Sequence, residues 1–156
     1  MGNPPWFYLS ANNNSWIQDL LKNGYVASDG KKNDGYYYVD GKPIGEKNPK
    51  MLQDDYVKFI RFAQWKIDLS GEGVVSYITN HSYLDNITFR GMRQSLLKTF
   101  NRIYILNLHG DMRKKEKTPK GEKDENVFES ITQGTAILIC VKSKTYDDHK
   151  IFYDDF

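Results

Sequence analysis

The stretch GEGVVSYITNHSYL, residues 71–84, decides the fold class of this chain. It is an apolar run, rich in β-branched residues and bounded by glycine, which is typical of a parallel strand buried on both faces. The residues before it, 54–69, repeat apolar side chains at helical spacing, and Asp54 or Asp55 can cap that helix. The apolar stripe of the predicted helix consists of Tyr56, Phe59, Ile60, Ala63 and Ile67. A helix followed by a buried strand forms one α/β unit.

The same alternation continues toward the C-terminus. A second helix is predicted from about residue 86 to 99, opening near Asp85 and Asn86. Its apolar side carries Phe89, Met92, Leu96 and Leu97. Further strands are predicted at RIYILNL, at TAILICVK and, close to the end of the chain, at KIFY. The predicted fold class is therefore α/β with a small sheet, and its core covers residues 54–142.

Residues 10–52 are polar and rich in turn-forming residues, and we interpret them as a long loop region. Asp-Gly pairs begin at Asp29, Asp34 and Asp40, and they bracket the sequence YYYV. Asp-Gly is a favoured two-residue hairpin turn, so this region is predicted to contain a small hairpin.

The composition bounds the class of protein. The chain has 156 residues and 39% hydrophobic content, which suits one domain, or part of one, with a real core. Its 22 Lys and Arg residues against 20 Asp and Glu give a net charge of +2, so any surface for nucleic acid must be a local patch. No apolar stretch approaches the ~20 residues that span a bilayer, and the N-terminus has no signal-peptide core. We therefore expect an intracellular, soluble protein.

Common metal, disulfide and nucleotide motifs are absent from the sequence. Cys140 is the single cysteine and lies inside the apolar run TAILICVK, so we interpret it as a buried core thiol. One cysteine excludes a disulfide or zinc framework. His81, His109 and His149 lack the spacing of a metal site, so no metal is expected. The chain has no GxxxxGK[ST] loop and no GxGxxG turn, so its sequence contains no common nucleotide-binding motif.

Residues 109–126, here called the basic loop, lie between the last two long strands and show no hydrophobic periodicity. From His109 to Lys123 the loop holds three anions, Asp111, Glu116 and Glu122. Its six cations are Arg113, Lys114, Lys115, Lys117, Lys120 and Lys123. Two interpretations stay open. The loop is either solvated and mobile or it contacts phosphates, since local cations give proteins salt-dependent affinity for DNA.

Residues 3–6, here called the NPPW segment, contain two consecutive prolines. Pro4 and Pro5 each fix φ at roughly −65° and lack an N–H, and Asn3 before them is pushed toward extended backbone. The Asn3 amide oxygen and the proline carbonyls are therefore acceptors held close together, able to bind both hydrogens of one NH2 group. The face of Trp6 offers a stacking surface for a ring that bears such an amine. The alternative is a rigid turn with a core tryptophan.

Several blocks of the sequence together resemble one family. They are GNPPW, DDYVKFIRFA, GVVSYITNHSYL, FRGMRQSLL, LHGDMRKKEKTPKGEKDENVF and TQGTAILICVK. In this order they resemble the N6-adenine-specific DNA methyltransferases with gamma-type motif order, as in the methylase modules of single-chain restriction-modification enzymes. The resemblance covers about residues 2–145 and implies the C-terminal part of a Rossmann-like catalytic domain, with 146–156 as a tail or final strand.

The resemblance implies roles for the NPPW segment. In this family the tetrad, here Asn3, Pro4, Pro5 and Trp6, lines the pocket that receives a flipped adenine. Asn3 and the Pro4 carbonyl would accept hydrogen bonds from the adenine amine, which attacks the methyl group of S-adenosylmethionine, and Trp6 would stack on the base. Most members have Tyr or Phe in the place of Trp6. Phe128, in ENVF, corresponds to a second aromatic near the base, with a core phenylalanine as the alternative.

Other residues carry weaker implications. Tyr56 and Asn80 align with parts of the family that could reach substrate, although packing and turn roles are favoured for them. The partner implied by the resemblance is double-stranded DNA. Its candidate contacts are Arg113, Lys114, Lys115, Lys117 and Lys120.

The family builds its S-adenosylmethionine site from a Gly-rich turn and an acidic residue, both N-terminal to the tetrad, and this chain contains neither block. We favour a fragment whose missing N-terminal half holds the cofactor; a truncated gene and a half supplied in trans are the alternatives. The isolated chain is then expected to be inactive. An uncovered strand edge or apolar face would also promote self-association. By resemblance the protein is cytoplasmic and of bacterial type.

Two other functions are compatible with these residues. A methyltransferase acting on a glutamine side chain in protein would use the same tetrad, because that amide also presents a planar NH2 group. A non-catalytic nucleic-acid-binding remnant would use the basic loop alone, and its tetrad would be structural.

Overall fold

The computed structural model describes residues 1–6, 10–115, 117–118, 120–129 and 131–156. A short helix and two small β-hairpins come first, followed by two longer helices and a four-stranded mixed sheet. This α/β architecture confirms the predicted fold class and is consistent with part of a Rossmann-like fold. In the described part of the chain, no helix has both the length and the hydropathy that crossing a membrane requires.

The region interpreted as a long loop contains regular structure. Its elements are α1 (Ser15–Lys22), β1 (Tyr25–Val26), β2 (Lys32–Asn33), β3 (Tyr38–Val39) and β4 (Lys42–Pro43). The loop interpretation was wrong for α1, which Asn14 caps by accepting a hydrogen bond from the Ile17 N–H at 3.0 Å. Ile17, Leu20 and Leu21 are buried, and their spacing is the helical signal that the polar composition obscured.

The predicted hairpin at YYYV is confirmed. β3 pairs antiparallel with β4, and the two residues between them, Asp40 and Gly41, have φ values of 52° and 71°. A two-residue turn with both residues in the left-handed region matches the twist of the paired strands, and Asp-Gly tolerates that conformation. β1 and β2 form a second antiparallel hairpin, which contains the pair Asp29-Gly30.

Both predicted helices are present, with small shifts at their ends. α2 spans Asp55–Ser70, and α3 spans Arg90–Thr99 after a 3-10 turn at Ile87–Phe89. Asp54 caps α2, because its side chain accepts a hydrogen bond from the Tyr56 N–H at 3.4 Å.

One residue of each predicted apolar stripe faces outward instead of into the core. Phe59 is 41% exposed and Leu97 is 40% exposed. Phe59 lies beside exposed aromatic residues on the outer side of α1 and α2, where the ring centroids of Trp16 and Trp65 are 5.0 Å apart. The stripe prediction failed here because α2 buries polar side chains on its inner side, among them Arg61.

Arg61, in the middle of α2, is fully buried and joins the N-terminal elements to both helices. Its Nε donates to the carbonyl oxygen of Leu20 at 2.9 Å, and an Nη2 hydrogen reaches the carbonyl oxygen of Asp34 at 3.0 Å. Nη1 donates to side-chain oxygens of Asn33, Gln64 and Ser95. The guanidinium carbon lies 4.6 Å from the ring centroid of Tyr25 and 4.7 Å from that of Tyr36. All three guanidinium nitrogens thus donate hydrogen bonds, and the group also stacks between two tyrosine rings.

The main sheet follows these helices in the chain. Its strands are β5 (Gly73–Asn80), β6 (Arg102–Asn107), β7 (Thr135–Lys142) and β8 (Lys150–Asp155). They lie in the order β5-β7-β6-β8; β7 is antiparallel to β5 and β6, and β8 is parallel to β6. Since β5 and β6 both run opposite to β7, they end at the same edge of the sheet.

The prediction that β5 is a parallel strand buried on both faces was wrong. Its long pairing is antiparallel, with β7, and its outer edge carries a single parallel bridge from Gly2 to Tyr77. On one face, Val75 packs in the core with side chains of α2 and α3, whereas Val74 on the opposite face is 63% exposed. Apolar residues continue across that opposite face to Tyr104 of β6, which is also exposed. One face of the sheet is therefore uncovered.

The prediction of a buried thiol at Cys140 is confirmed, and burial raises its pKa to about 12. Because the thiolate is the reactive species, we expect the folded chain to react with DTNB at pH 8 at least ~100-fold more slowly than the chain unfolded in urea. Absorbance of the released thiolate measures both rates. Equal rates would contradict the packing described for β7.

Candidate functional site

The NPPW segment is positioned by the outer edge of β5. The Gly2 N–H donates to the carbonyl oxygen of Ser76 at 2.8 Å, and the Ile78 N–H donates to the carbonyl oxygen of Gly2 at 3.0 Å. Gly2 thereby continues the sheet in parallel with β5 for one residue. The residues after it lead toward the edge at which β5 and β6 end, and open α/β sheets bind their ligands outside this carboxyl edge.

The four residues of the NPPW segment differ in burial. Pro4 is buried, Trp6 is half-buried against the core, and Asn3 and Pro5 are exposed. Among the described residues, no donor binds the Asn3 amide oxygen or the Pro4 carbonyl oxygen. Asn3 is exposed, so its amide oxygen is accessible from outside the chain, and the buried Pro4 lines the pocket described next. The core-tryptophan interpretation and the acceptor-pair interpretation are compatible here, because Trp6 packs on the core and still borders open space.

Phe128 contacts Trp6 and completes a pocket. The two ring centroids are 5.7 Å apart with an interplanar angle of 77°, which is a favourable edge-to-face arrangement. An open pocket of about 380 Å³ is lined by Asn3, Pro4, Pro5, Trp6, Phe128, Glu129 and Ile131. Phe128 is half-buried at this pocket and is not part of the buried core cluster. The structure therefore brings the whole predicted tetrad together with the second predicted aromatic.

A polar cluster lies at the same edge of the sheet. His81, directly after β5, is 3% exposed; its Nδ1 is 3.0 Å from Asn107 Oδ1 and its Nε2 is 3.4 Å from Asp111 Oδ2. Burial acts to raise the pKa of Asp111, but hydrogen bonds from the Arg113 N–H and from His81 outweigh it and hold the pKa below its usual value. A Cβ on Gly134 would lie 2.2 Å from His81 Cε1, so glycine makes room for the ring. The cluster fixes the start of the basic loop to β5 and β6.

Sequence reasoning missed this cluster because its members are far apart in the chain. The available signal was that two strands running in the same direction both end in polar residues, Asn80 and His81 in one case and Asn107 in the other. Within the described ranges, no group of three or more His, Cys, Asp or Glu side chains is arranged to hold a metal ion.

The cations of the basic loop are exposed. Lys114 Nζ forms an ion pair with Asp85 Oδ2 at 2.6 Å, and both side chains are accessible, so this pair contributes little stability. The Arg113 side chain is 63% exposed, at 4.0 Å from Asp111 Oδ1. The other exposed cations of the loop are Lys115, Lys117, Lys120 and Lys123.

The basic loop shows no hydrophobic periodicity in its sequence, but part of it has regular backbone pairing. Lys117 and Lys123 form an antiparallel bridge, and the Thr118 N–H donates to the carbonyl oxygen of Glu122 at 3.0 Å. This small turn presents lysines on both of its sides. Glu116, one of the three anions counted in the sequence, lies outside the described residues.

Tyr56 and Asn80 occupy the positions that packing and turn roles predict. Tyr56 is 1% exposed and lies between the rings of Tyr83 and Phe89, with centroids 6.2 and 6.4 Å away. The Asn80 side chain accepts a hydrogen bond from the Ser82 N–H at 2.7 Å and donates to Gln133 Oε1. Neither side chain lines the pocket at Trp6.

Comparison with solved structures shows similarity over almost the whole chain. The ATP-dependent Type ISP restriction-modification enzyme LlaBIII bound to DNA is 27% identical over 99% of this chain, with a TM-score of 0.70. A nuclease-deletion mutant of the Type ISP enzyme LlaGI, in complex with a DNA substrate mimic, is 28% identical over 99% of the chain with a TM-score of 0.71. The DrdV–DNA complex is 28% identical over 99%, with a TM-score of 0.63.

The chain spans only 10%, 12% and 14% of those three proteins, respectively. No family model matches the sequence, and no curated protein matches it. The chain is therefore similar to a small part of restriction-modification enzymes, and this similarity is structural as well as in sequence.

Proposed function

We propose that this chain is the adenine-receiving part of a DNA methyltransferase of a restriction-modification system, and that the methylated atom is the N6 amine. One observation carries this proposal. Asn3 and Pro4, each with an oxygen acceptor, line one pocket together with Trp6 and Phe128, whose rings are in edge-to-face contact. Acceptors for an NH2 group beside two aromatic rings suit a planar base that bears an exocyclic amine. The similarity to Type ISP enzymes supports the restriction-modification context.

The chemistry that these residues perform follows from the pocket. An adenine inside the duplex is unreachable, so the base must leave the stack and enter the pocket, where Trp6 and Phe128 replace lost stacking. Asn3 Oδ1 and the Pro4 carbonyl oxygen each accept one N–H of the amine. Two acceptors hold both hydrogens in place, which turns the nitrogen lone pair out of conjugation with the ring and toward the methyl donor. After transfer, the nitrogen releases one of its two protons.

S-adenosylmethionine is the methyl donor of the proposed reaction and supplies an electrophilic methyl group on a sulfonium. This sequence has no Gly-rich turn of the kind that holds such a cofactor. We therefore propose that a separate cofactor-binding half supplies that site. The outer edge of β5, which carries only the parallel bridge from Gly2, and the exposed sheet face at Val74 and Tyr104 offer it a parallel strand partner and apolar contact. The chain alone is then inactive and is prone to self-association through the same face.

The basic loop supplies the second part of the proposal, which is contact with the DNA backbone. The solved relatives are DNA complexes. The exposed lysines of this loop lie on the same connection between β6 and β7 that carries Phe128, so phosphate contacts there would place the duplex beside the pocket.

Replacing Lys115 and Lys117 together by glutamate is expected to weaken DNA binding and to reduce its salt dependence. Each phosphate contact contributes about 0.9 to the slope of log K against log salt, so the slope should fall by about 2. Fluorescence anisotropy with labelled duplexes at several salt concentrations measures it. The matched control replaces the exposed Lys31 and Lys32 of the β1–β2 hairpin, which should leave the slope unchanged. The same slope for both double variants would contradict a role for the basic loop.

The test of the proposed function uses this chain joined to its cofactor-binding half, expressed from the extended reading frame. The protein is incubated with S-adenosylmethionine and mixed-sequence DNA, and the digested nucleosides are analysed by mass. We expect N6-methyladenine, and none with the isolated chain. Methylation of glutamine in added protein, with unmodified DNA, would transfer the assignment to the glutamine-amide alternative. DNA binding without any methyl transfer would favour the non-catalytic alternative.

A further inference from the structure

We propose that Asn126 is a positioning residue that holds Phe128 against Trp6. The effect of Asn126 on catalysis rests on the proposed function. The effect of Asn126 on the contact between the Phe128 and Trp6 rings does not. Phe128 lies in the long connection between β6 and β7, outside any helix or strand, so its placement at the pocket needs a specific cause. The hydrogen bonds of the Asn126 side chain supply one.

Both ends of the Asn126 side-chain amide are fully used. Nδ2 donates to the carbonyl oxygen of Gln133 at 2.7 Å and to that of Gly110 at 3.2 Å. Oδ1 accepts from the Phe128 N–H at 2.9 Å and from Thr135 Oγ1 at 3.4 Å. An amide has two donor hydrogens and two acceptor positions, and each of them has a partner here. One side chain thus joins both ends of the connection between β6 and β7 to the backbone of Phe128.

Gly110 and Asp124 show that the chain closes tightly at this point. Gly110 has φ of 74°, and a Cβ on it would lie 2.5 Å from the Asn126 Cα, so only glycine allows the two backbones to approach this closely. The Gly110 N–H also donates to Asp124 Oδ2 at 2.8 Å. The described residues between 110 and 124, which include the exposed lysines, therefore form an arm with a closed base. Asn126 lies at that base.

The bond from the Phe128 N–H to Asn126 Oδ1 spans two residues and is a local turn. It fixes the direction in which the chain leaves the closed base, and so sets where the Phe128 ring lies relative to Trp6. Further anchoring comes from the strand that follows, because the His81 N–H donates to the carbonyl oxygen of Gly134 at 2.9 Å. Asn126 connects the ring to this fixed part of the sheet.

Other side chains cannot replace the amide. Aspartate has no donors and would direct a negative charge at the carbonyl oxygens of Gly110 and Gln133, while alanine leaves all four partners without their bonds. Asn101 provides the matched control at the opposite edge of the sheet. Its Oδ1 accepts from the Ser143 N–H at 2.9 Å and its Nδ2 donates to the Tyr146 carbonyl oxygen at 3.2 Å, so it makes a comparable loop contact far from the pocket.

The first measurement is made on this chain and needs no activity. Nuclear Overhauser contacts between the Trp6 and Phe128 ring protons are recorded for the unaltered chain and for Asn126→Ala, Asn126→Asp and Asn101→Ala. We expect the contacts to be lost in both Asn126 variants and kept in Asn101→Ala. Amide spectra show that each variant is folded. Ring contacts that persist in folded Asn126→Ala would overturn the proposal.

The second measurement uses the complete methyltransferase. Asn126→Ala should lower kcat/KM for DNA by roughly 10-fold, within the range expected for losing one base–aromatic stack, with KM for S-adenosylmethionine unchanged. The double variant with Phe128→Ala should be no slower than Phe128→Ala alone, because the amide acts through the ring. If the fold-reduction in kcat/KM of the double variant equalled the product of the two single-variant reductions, the proposal would be overturned. If the unaltered enzyme forms no product, the proposed function fails, and the ring contacts alone decide the role of Asn126.

Discussion

Replacing Asn3 by alanine is expected to lower the rate of methyl transfer to DNA by roughly 100- to 1,000-fold, the usual effect of removing one preorganised polar group at a reacting centre. The amide oxygen of Asn3 is exposed at the pocket, and no described residue competes for it. Its loss leaves the amine with one acceptor, so the lone pair is no longer directed at the methyl donor. Affinity for DNA should stay the same, because phosphate contacts dominate binding.

Two variants make this result specific. Asn3→Asp keeps an acceptor at the same place and should retain more activity than Asn3→Ala. Asn48→Ala removes an exposed amide elsewhere in the N-terminal region and should have no effect. Labelled methyl groups incorporated into DNA measure the rates, and filter binding measures affinity. If Asn3→Ala and Asn48→Ala were equally active, the NPPW segment would have only a structural role.

Replacing Arg61 by methionine is expected to lower the free energy of unfolding by about 3–5 kcal/mol, because several acceptors lose their hydrogen bonds at a cost of roughly 1–3 kcal/mol each. Methionine keeps much of the stem volume but provides no donor. The carbonyl oxygens of Leu20 and Asp34 then lose their bonds to Arg61 in the interior. The Leu20 carbonyl belongs to the last turn of α1, where carbonyl groups have no N–H partner within the helix. The loss is a large part of the stability of a domain of this size.

Urea unfolding followed by circular dichroism measures this change. Arg113→Met serves as the matched control, because that side chain is largely exposed and its removal should change stability by less than about 0.5 kcal/mol. A similar small loss for Arg61→Met would show that the N-terminal hairpins and α1 are held by apolar packing instead of by the guanidinium.

The comparison of sequence and structure shows which physical signals were sufficient. TAILICVK was predicted as a strand and forms β7, because a β-branched apolar run permits few other buried arrangements. α2 was predicted from its periodicity and its aspartate cap. α1 was missed for two reasons. It is flanked by Asn12, Asn13, Asn14 and Asn23, which are typical of loops, and its eight residues are too few to show a clear helical repeat. The orientation of β5 could not be predicted, since an apolar run does not reveal the direction of the strand beside it.

The residues of the candidate site could be named before the structure, whereas their arrangement could not. The NPPW segment was singled out from local sequence and Phe128 from the family resemblance, but neither source indicates that their rings are in contact. Polar residues spread over long sequence distances, such as His81 and Asp111, leave no local pattern. Their role arises because β5 and β6 end at one edge of the sheet.

The most direct test of the central claim is the structure of the proposed complete methyltransferase bound to an unmethylated target DNA and an unreactive analogue of S-adenosylmethionine. The account predicts one adenine out of the duplex, its N6 about 3 Å from Asn3 Oδ1 and from the Pro4 carbonyl oxygen, with Trp6 and Phe128 in contact with its ring. A target base still stacked in the duplex, or an adenine held elsewhere with the NPPW segment away from its amine, would contradict it.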